Sequence, residues 1–242
     1  MVIPTILAMT GAEFQANPDI SSPVGWMACH FSAYGTGLSN FPDILPKGSF
    51  LILNDRTPWR HHDPELITDQ LATEIKGFAC HGLLLDLQRP GVPEVKKLAE
   101  LLNAELDCPV GVSKLYADGL SCPVFLPPVP LHQTLSDYLS PWQGQEIWLE
   151  LALDSEEILL EKEGCTVTSL PSPADKSSFF KEETLHCRYH MTVEESCARF
   201  LLTRTREDLE EVLAEAEDYG VTTAVGLWQE LSATLPLSSR SE

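Results

Sequence analysis

Short apolar runs rich in β-branched and aromatic residues recur along this chain, several of them separated by stretches whose apolar residues repeat every three to four positions. That alternation is the signature of a parallel sheet wrapped by helices, because a strand buried on both faces reads as a continuous apolar run. The runs are Val2 to Met9, Trp26 to Phe31, Phe50 to Asp55, Gly82 to Gln88, Pro109 to Ser113, Pro123 to Pro127, Glu146 to Leu153 and Thr222 to Trp228. Eight such strands close an α/β fold of the (β/α)8 TIM barrel type.

Three helices are signalled clearly. Asp63, Pro64 and Glu65 supply an N-cap, a first-turn proline and an early acid before LITDQLATEIKGF, with Gly77 placed to stop the helix. Pro93 opens a second through VKKLAELLNAEL, and REDLEEVLAEAEDYG forms a third that puts Leu209, Val212, Leu213 and Ala216 on one face and ends at Gly220. Between residues 158 and 205 the pattern shortens to CTVTSL, HCRYHMTV and ARFLLTR around the linker PSPADKSS. This reads as antiparallel β-hairpins inserted between the seventh strand and the seventh helix. LPLSSRSE reads as a frayed tail. The expected organisation is one barrel domain over residues 1–242 with 158–205 as its insertion.

Charge narrows the partners. Lys and Arg total 16 against 36 Asp and Glu, a net charge of -20, and such a field repels phosphate backbones and anionic lipid. Neither nucleic acid nor a membrane surface is an expected partner. The seven cysteines are scattered and never spaced as CxxC, which indicates neither a disulfide framework nor a zinc site. MVIPTILAM lacks a basic leader, and a cytoplasmic location is expected. No GxGxxG, GxxxxGKS or GxSxG pattern occurs, so no nucleotide cofactor and no serine-hydrolase chemistry is indicated. His61 and His62 precede Asp63, but Asp63 is read as an N-cap and adjacent histidines point different ways, so no metal is expected there.

In a parallel barrel, functional groups sit at the carboxyl ends of the strands, since the strand interiors are packed with aliphatic side chains. The candidates there are His30 and Ser32 after the second strand, Asn54, Asp55 and Arg56 after the third, and Asp86, Gln88 and Arg89 after the fourth. Lys114 follows the fifth strand, Glu150 lies on the seventh, and Trp228 and Glu230 follow the eighth. Asp86 and Gln88 stand at period-two spacing, so both point into the barrel mouth. Bland readings stand beside these: Asp55 as a turn residue, Glu150 as a buried ion-pair partner, Glu230 as a cap, and Trp228 as a plug.

The segment GFACHGLLLDLQRPG, Gly77 to Gly91, resembles the fourth strand of the chitinase-like family-18 glycoside hydrolases, which carries a DxxDxDxE pattern. Laid on this chain, His81 takes the first Asp, Leu84 the second, Asp86 matches the third, and Gln88 takes the place of the catalytic Glu. The resemblance also implies an insertion after the seventh strand and a last strand ending in an aromatic that floors a sugar site, here Trp228. In that family the Glu is the general acid, the neighbouring Asp orients the substrate's acetamido group, and that group attacks the anomeric carbon. Gln88 has no proton to donate, FLILNDRTPW lacks the family's usual Ser and Gly pair, and PVFLPPVPL has no Tyr or Asp like that of its sixth strand.

The leading expectation is therefore a barrel that takes a small polar ligand, a carbohydrate, at a mouth lined by Asp55, Asp86, Gln88 and Trp228, with His30, Arg89 and Glu230 nearby. Any hydrolysis would use Asp86 together with an acid other than Gln88, namely Asp55 or Glu150. Two other classes stand beside it: an inactive barrel that binds a sugar or a protein, and a TIM barrel of unrelated ancestry acting on another metabolite.

Overall fold

The computed structural model describes residues 3–171 and 178–232; most of the PSPADKSS linker and the whole LPLSSRSE tail lie outside them, as does Val2 at the start of the first expected strand. Fourteen strands are β1 (Thr5–Met9), β2 (Gly25–Phe31), β3 (Leu38–Ser39), β4 (Phe50–Asn54), β5 (Gly82–Asp86), β6 (Val110–Ser113), β7 (Val124–Leu126), β8 (Ile147–Leu151), β9 (Ser155–Glu161), β10 (Gly164–Leu170), β11 (Phe180–Glu182), β12 (Cys187–Val193), β13 (Cys197–Thr203) and β14 (Val221–Leu227). The helices are α1 (Gly11–Ala16), α2 (Pro64–Phe78), α3 (Pro93–Glu105), α4 (Leu135–Leu139), α5 (Arg206–Ala216) and α6 (Trp228–Leu231).

Eight parallel strands run in the order β1, β14, β8, β7, β6, β5, β4, β2, and pairing of Ala8 with Gly25 and Met9 with Trp26 closes the ring. The two-residue β3 pairs antiparallel with the end of β2. Alternation along each strand splits the apolar residues into two cores. Ile6, Ala8, Ile52, Leu84, Phe125, Trp148 and Val225 fill the barrel. Their neighbours Leu7, Leu51, Leu53, Leu83, Leu85 and Leu149 face outward against Ile67 and Leu71 of α2, Leu98 and Leu102 of α3 and Leu209 and Val212 of α5. Two inner rings, Phe50 and Trp148, meet edge to face with centroids 5.7 Å apart. They fit because Gly82 and Gly111 leave bare backbone beside them; a Cβ at either glycine would overlap a ring.

The helical layer is thinner than eight full units. Among the described residues only α2, α3 and α5 exceed ten residues. No helix joins β6 to β7, where Gly119 at φ 75° and Pro123 break the segment, nor β2 to β4, where Pro42, Pro46 and Gly48 (φ 83°) intervene. The start of α2 is as expected, Asp63 accepting from the Glu65 amide at 3.0 Å. Its end is not: Gly77 lies inside the helix, which runs to Phe78 and closes on Ala79 in the left-handed conformation (φ 51°). The tertiary bond from the Gly48 amide to the Ala79 carbonyl, 3.2 Å, belongs to that corner.

Between β8 and α5 the chain forms a second sheet, antiparallel, in the order β10, β9, β13, β12, β11. Arg204, buried, ties its base to the barrel by donating to the carbonyls of Val129, Leu185 and His186.

Candidate active site

Period-two geometry builds the mouth directly on the inner core. Leu84 on β5 is followed on the same face by Asp86, and Trp148 on β8 by Glu150, so both acids stand on an apolar floor at the carboxyl end of the barrel. Asn54 continues the inner face of β4 above Ile52. It is held by a bond from its amide to the Met27 carbonyl, 2.7 Å, and accepts from the Arg56 amide, 3.0 Å.

His30 reaches the same rim through a bulge. The pairing of β2 with β4 slips between Trp26 and Cys29, so that Cys29 opposes Leu53 and joins the outer core, while His30 opposes Asn54. Its Nδ1 lies 2.8 Å from the Phe31 carbonyl and its Nε2 2.9 Å from the Asn40 amide nitrogen, a pattern met by the tautomer that carries the proton on Nδ1.

Four carboxyls converge on the β5–β8 side. The Glu150 carboxyl is pushed up to about 7, first by burial and then by the charges of Asp86, Asp154 and Glu230. Burial also raises Asp86, opposed by the hydrogen bond from Gln88 Nε2 to Asp86 Oδ1 (2.6 Å) and reinforced by the charge of Asp55. Asp154 is raised by burial and by Glu230, with Arg204 acting the other way. Tyr138 of α4, donating to the Pro127 carbonyl at 2.9 Å, is pushed up to about 12 by burial and by Glu150. Charges felt by Glu150 are all negative, which sets it apart from the ion-pair partner that a bland reading expects.

Asp55 has a different setting. Its Oδ2 accepts from the backbone amides of Gln88 (2.9 Å) and Arg89 (2.6 Å), and Arg89 returns a bond from Nε to the Asp55 carbonyl (3.0 Å). The Tyr116 hydroxyl donates to the Arg89 carbonyl. Asp55 and Arg89 thus clamp the loops after β4 and β5 and hold Gln88 over Asp86. Asp55→Ala is expected to lower stability by about 2 kcal/mol in urea titration and to speed amide exchange at Gln88 and Arg89, the loss anticipated for two bonds to a charged acceptor.

Trp228 opens α6 and packs, half-buried, on the outer core, while Leu227 continues the inner face of β14. Glu230 accepts from the Leu153 amide at 3.0 Å and so pins the loop after β8. Ser32 accepts from the Tyr34 amide, and Lys114 is exposed on the loop after β6. His62 tilts against Phe31 and Trp59, away from the mouth acids. Among the described residues no cluster of three or more His, Cys, Asp or Glu has metal-binding geometry.

A cleft of about 960 Å³ opens beside the mouth over the ends of β1, β2 and β4. Phe14, Trp26, Phe41 and Met27 give it apolar walls, and His30, Asn40, Asp43, Asn54 and Arg56 give it polar groups. Such a mixture of apolar surface with a few placed polar groups is typical of small-ligand sites. Sequence reasoning located His30, Asn54 and Arg56 but not the aromatic wall, because Trp26 reads as a strand residue, Phe14 comes from the short α1 and Phe41 from a loop. Asp154 was equally missed, although it follows Glu150 by four residues at the same strand end.

No family model matches the chain, and no curated protein matches it. Solved structures do. A family-18 N-acetylglucosaminidase from Paenibacillus barengoltzii superposes with a TM-score of 0.63 over 93% of this chain and 94% of that one, at 9% identity. In fold the chain is similar to chitinase-like barrels. A chitinase-like agglutinin from Robinia pseudoacacia matches with a TM-score of 0.60 over 93% and 94% at 10% identity. A chitinase variant from Cycas revoluta, solved with (GlcNAc)4, matches with a TM-score of 0.57 over 92% and 94% at 9% identity. In fold alone the chain is thus glycoside hydrolase-like. Identity this low carries the fold and no residue roles.

Proposed function

We propose that this chitinase-like barrel binds a hexosamine-type oligosaccharide across its mouth and cleaves it with Glu150 as the proton donor. One observation carries the reading: Glu150 stands on the inner face of β8 above Trp148, with its carboxyl pushed up to about 7 beside Asp86. A general acid works best when its pKa lies near the working pH, and a second carboxyl kept ionised nearby is the usual counterpart in glycoside hydrolysis. Asp86 is the candidate for that second role: burial raises its carboxyl, and the bond from the Gln88 amide works against that shift. In the reaction the Glu150 proton passes to the glycosidic oxygen as its bond to the anomeric carbon breaks. Asp86 faces the positive charge that develops on the sugar ring. Water completes the anomeric carbon and returns a proton to the Glu150 carboxylate. The cleft over β1, β2 and β4 has walls on which sugar rings can lie.

A second reading rests on Gln88 itself. An amide bonded to Asp86 stands where the resembled family keeps its acid, and the agglutinin from Robinia pseudoacacia shares the fold. On that reading the same mouth holds a saccharide without cutting it.

Calorimetric titration with (GlcNAc)4 and other oligosaccharides, followed by product analysis, tests both. The proposal expects binding that weakens at least about tenfold in Asp86→Ala and products that disappear in Glu150→Gln. Binding without products would leave the lectin-like reading, and no binding by any oligosaccharide would remove both.

A further inference from the structure

The antiparallel sheet after β8 carries a surface that the mouth does not use. Its register aligns Val167, Ile158, Phe200 and Met191 in one row across β10, β9, β13 and β12. The next row outward aligns Cys165, Leu160, Ala198 and Val193. Paired residues share a face, so eight apolar side chains stand together. Nearer the barrel the same face carries Cys187, Leu202 and Tyr189, which close over Leu131. The base of the face is therefore buried, but its outer rows are open: Val193 is 67% exposed, Met191 48%, Val167 44% and Leu160 41%. The opposite face is largely polar, with Arg199 paired to Glu157 at 3.0 Å and Arg188 reaching Glu207 of α5 at 2.8 Å. Antiparallel sheets ordinarily turn the polar face to water and the apolar face to another layer. Among the described residues the outer half of this sheet has no such layer.

Dimensions and charge restrict what fits. Four strands at ~4.8 Å and two rows at ~6.8 Å span roughly 19 by 14 Å. That area is near the size of the largest apolar patch on a typical monomer, which is often functional, but about a third of the ~800 Å² per partner that a stable complex of two globular surfaces buries. A second copy meets a further obstacle, since the turns beyond the patch expose Glu161, Glu163, Glu194 and Glu195 against Lys162 at one end, Glu161 pairing with Cys197, on a chain of net charge -20. A single α-helix, about 10 Å wide and rising ~1.5 Å per residue, covers the patch with roughly 13 residues.

We infer that this face docks an amphipathic helix of a partner protein, apolar on the side laid across β10, β9, β13 and β12 and rich in Lys or Arg where it meets the glutamate turns. The inference is independent of any activity at the mouth.

The test titrates the full chain with a labelled Leu/Lys amphipathic helical peptide of about 18 residues, a scrambled peptide of the same composition, and a Leu/Glu analogue. Micromolar binding of the first alone is expected. It should weaken at least about tenfold when Met191→Ser is combined with Val193→Ser, fall with added salt, and be unchanged by Thr192→Ser on the opposite face. These are surface positions, and circular dichroism checks that the sheet persists. Equal binding of the scrambled peptide, or indifference to the double substitution, would reduce the effect to bulk charge and overturn the inference. So would a concentration-dependent dimer that the double substitution dissolves, which would make the occupant a second copy.

Discussion

Replacing Glu150 by Gln is expected to raise the midpoint of thermal unfolding near pH ~8 by about 5–10 °C while lowering any hydrolytic rate by about 100- to 10,000-fold. The sign follows from the proton. A carboxyl lifted from 4.5 to about 7 on folding keeps its proton in the native chain over a range where the unfolded chain has released it. Its contribution to stability is therefore fully present below the unfolded value and is lost as pH rises through ~7. The full swing is on the order of 3 kcal/mol, and for a chain of this size each kcal/mol moves the midpoint by about 2–4 °C. Gln cannot ionise, so the variant escapes the penalty at alkaline pH and resembles the wild type near pH ~4, where Glu150 is already neutral. Asp86 and Asp154, both raised, leave a residual slope of the same sign. Scanning calorimetry at the two pH values reads the difference. A variant destabilised equally at both would mean that the Glu150 carboxyl makes a native contact Gln cannot replace. In the rate, a donor of this pKa gives a basic limb that falls above pH ~7.

The penalty at Glu150 and its proposed use are the same physical fact. Folding places it over an indole, among carboxylates, on a chain already short of cations. A carboxyl that this field keeps protonated can pass its proton to a leaving group, and it can equally donate a hydrogen bond to a saccharide that is held and not cut.

What the sequence reveals of this arrangement is governed by range. Strands such as Phe50–Asn54 and Gly82–Asp86 are legible because a strand buried on both faces must be apolar throughout, whatever its neighbours. The inward placement of Asp86 follows from the same local rule, two residues beyond Leu84. The bulge in β2 does not: counting by two from Met27 puts Cys29 at the mouth, and only the register against β4 delivers His30 there instead. Ala79 rather than Gly77 closes α2 because the corner is fixed by a bond to Gly48, thirty-one residues earlier. Turn chemistry suggested a local bond for Asp55, whereas its acceptor oxygen serves amides thirty-three and thirty-four residues away. Long-range partners of this kind leave no mark on the local pattern.

Trp148→Ala is expected to cost about 3–5 kcal/mol, moving the thermal midpoint down by roughly 10 °C, and its partner on β6 supplies the control. Trp148 is 1% exposed, fills the barrel between Phe50 and Phe125, and lies against the bare backbone of Gly111. Gly111→Ala alone should also destabilise, by about 1–3 kcal/mol, because its Cβ would occupy the position of the indole and neither ring nor backbone can yield in a closed barrel. In the Trp148→Ala background the same methyl enters the cavity left by the ring, and its effect should fall to near zero or reverse. The double-mutant cycle then shows a coupling of about 1–3 kcal/mol, measured in urea at fixed pH. Additive losses would mean that Gly111 is required for its backbone rather than for the room it gives the ring.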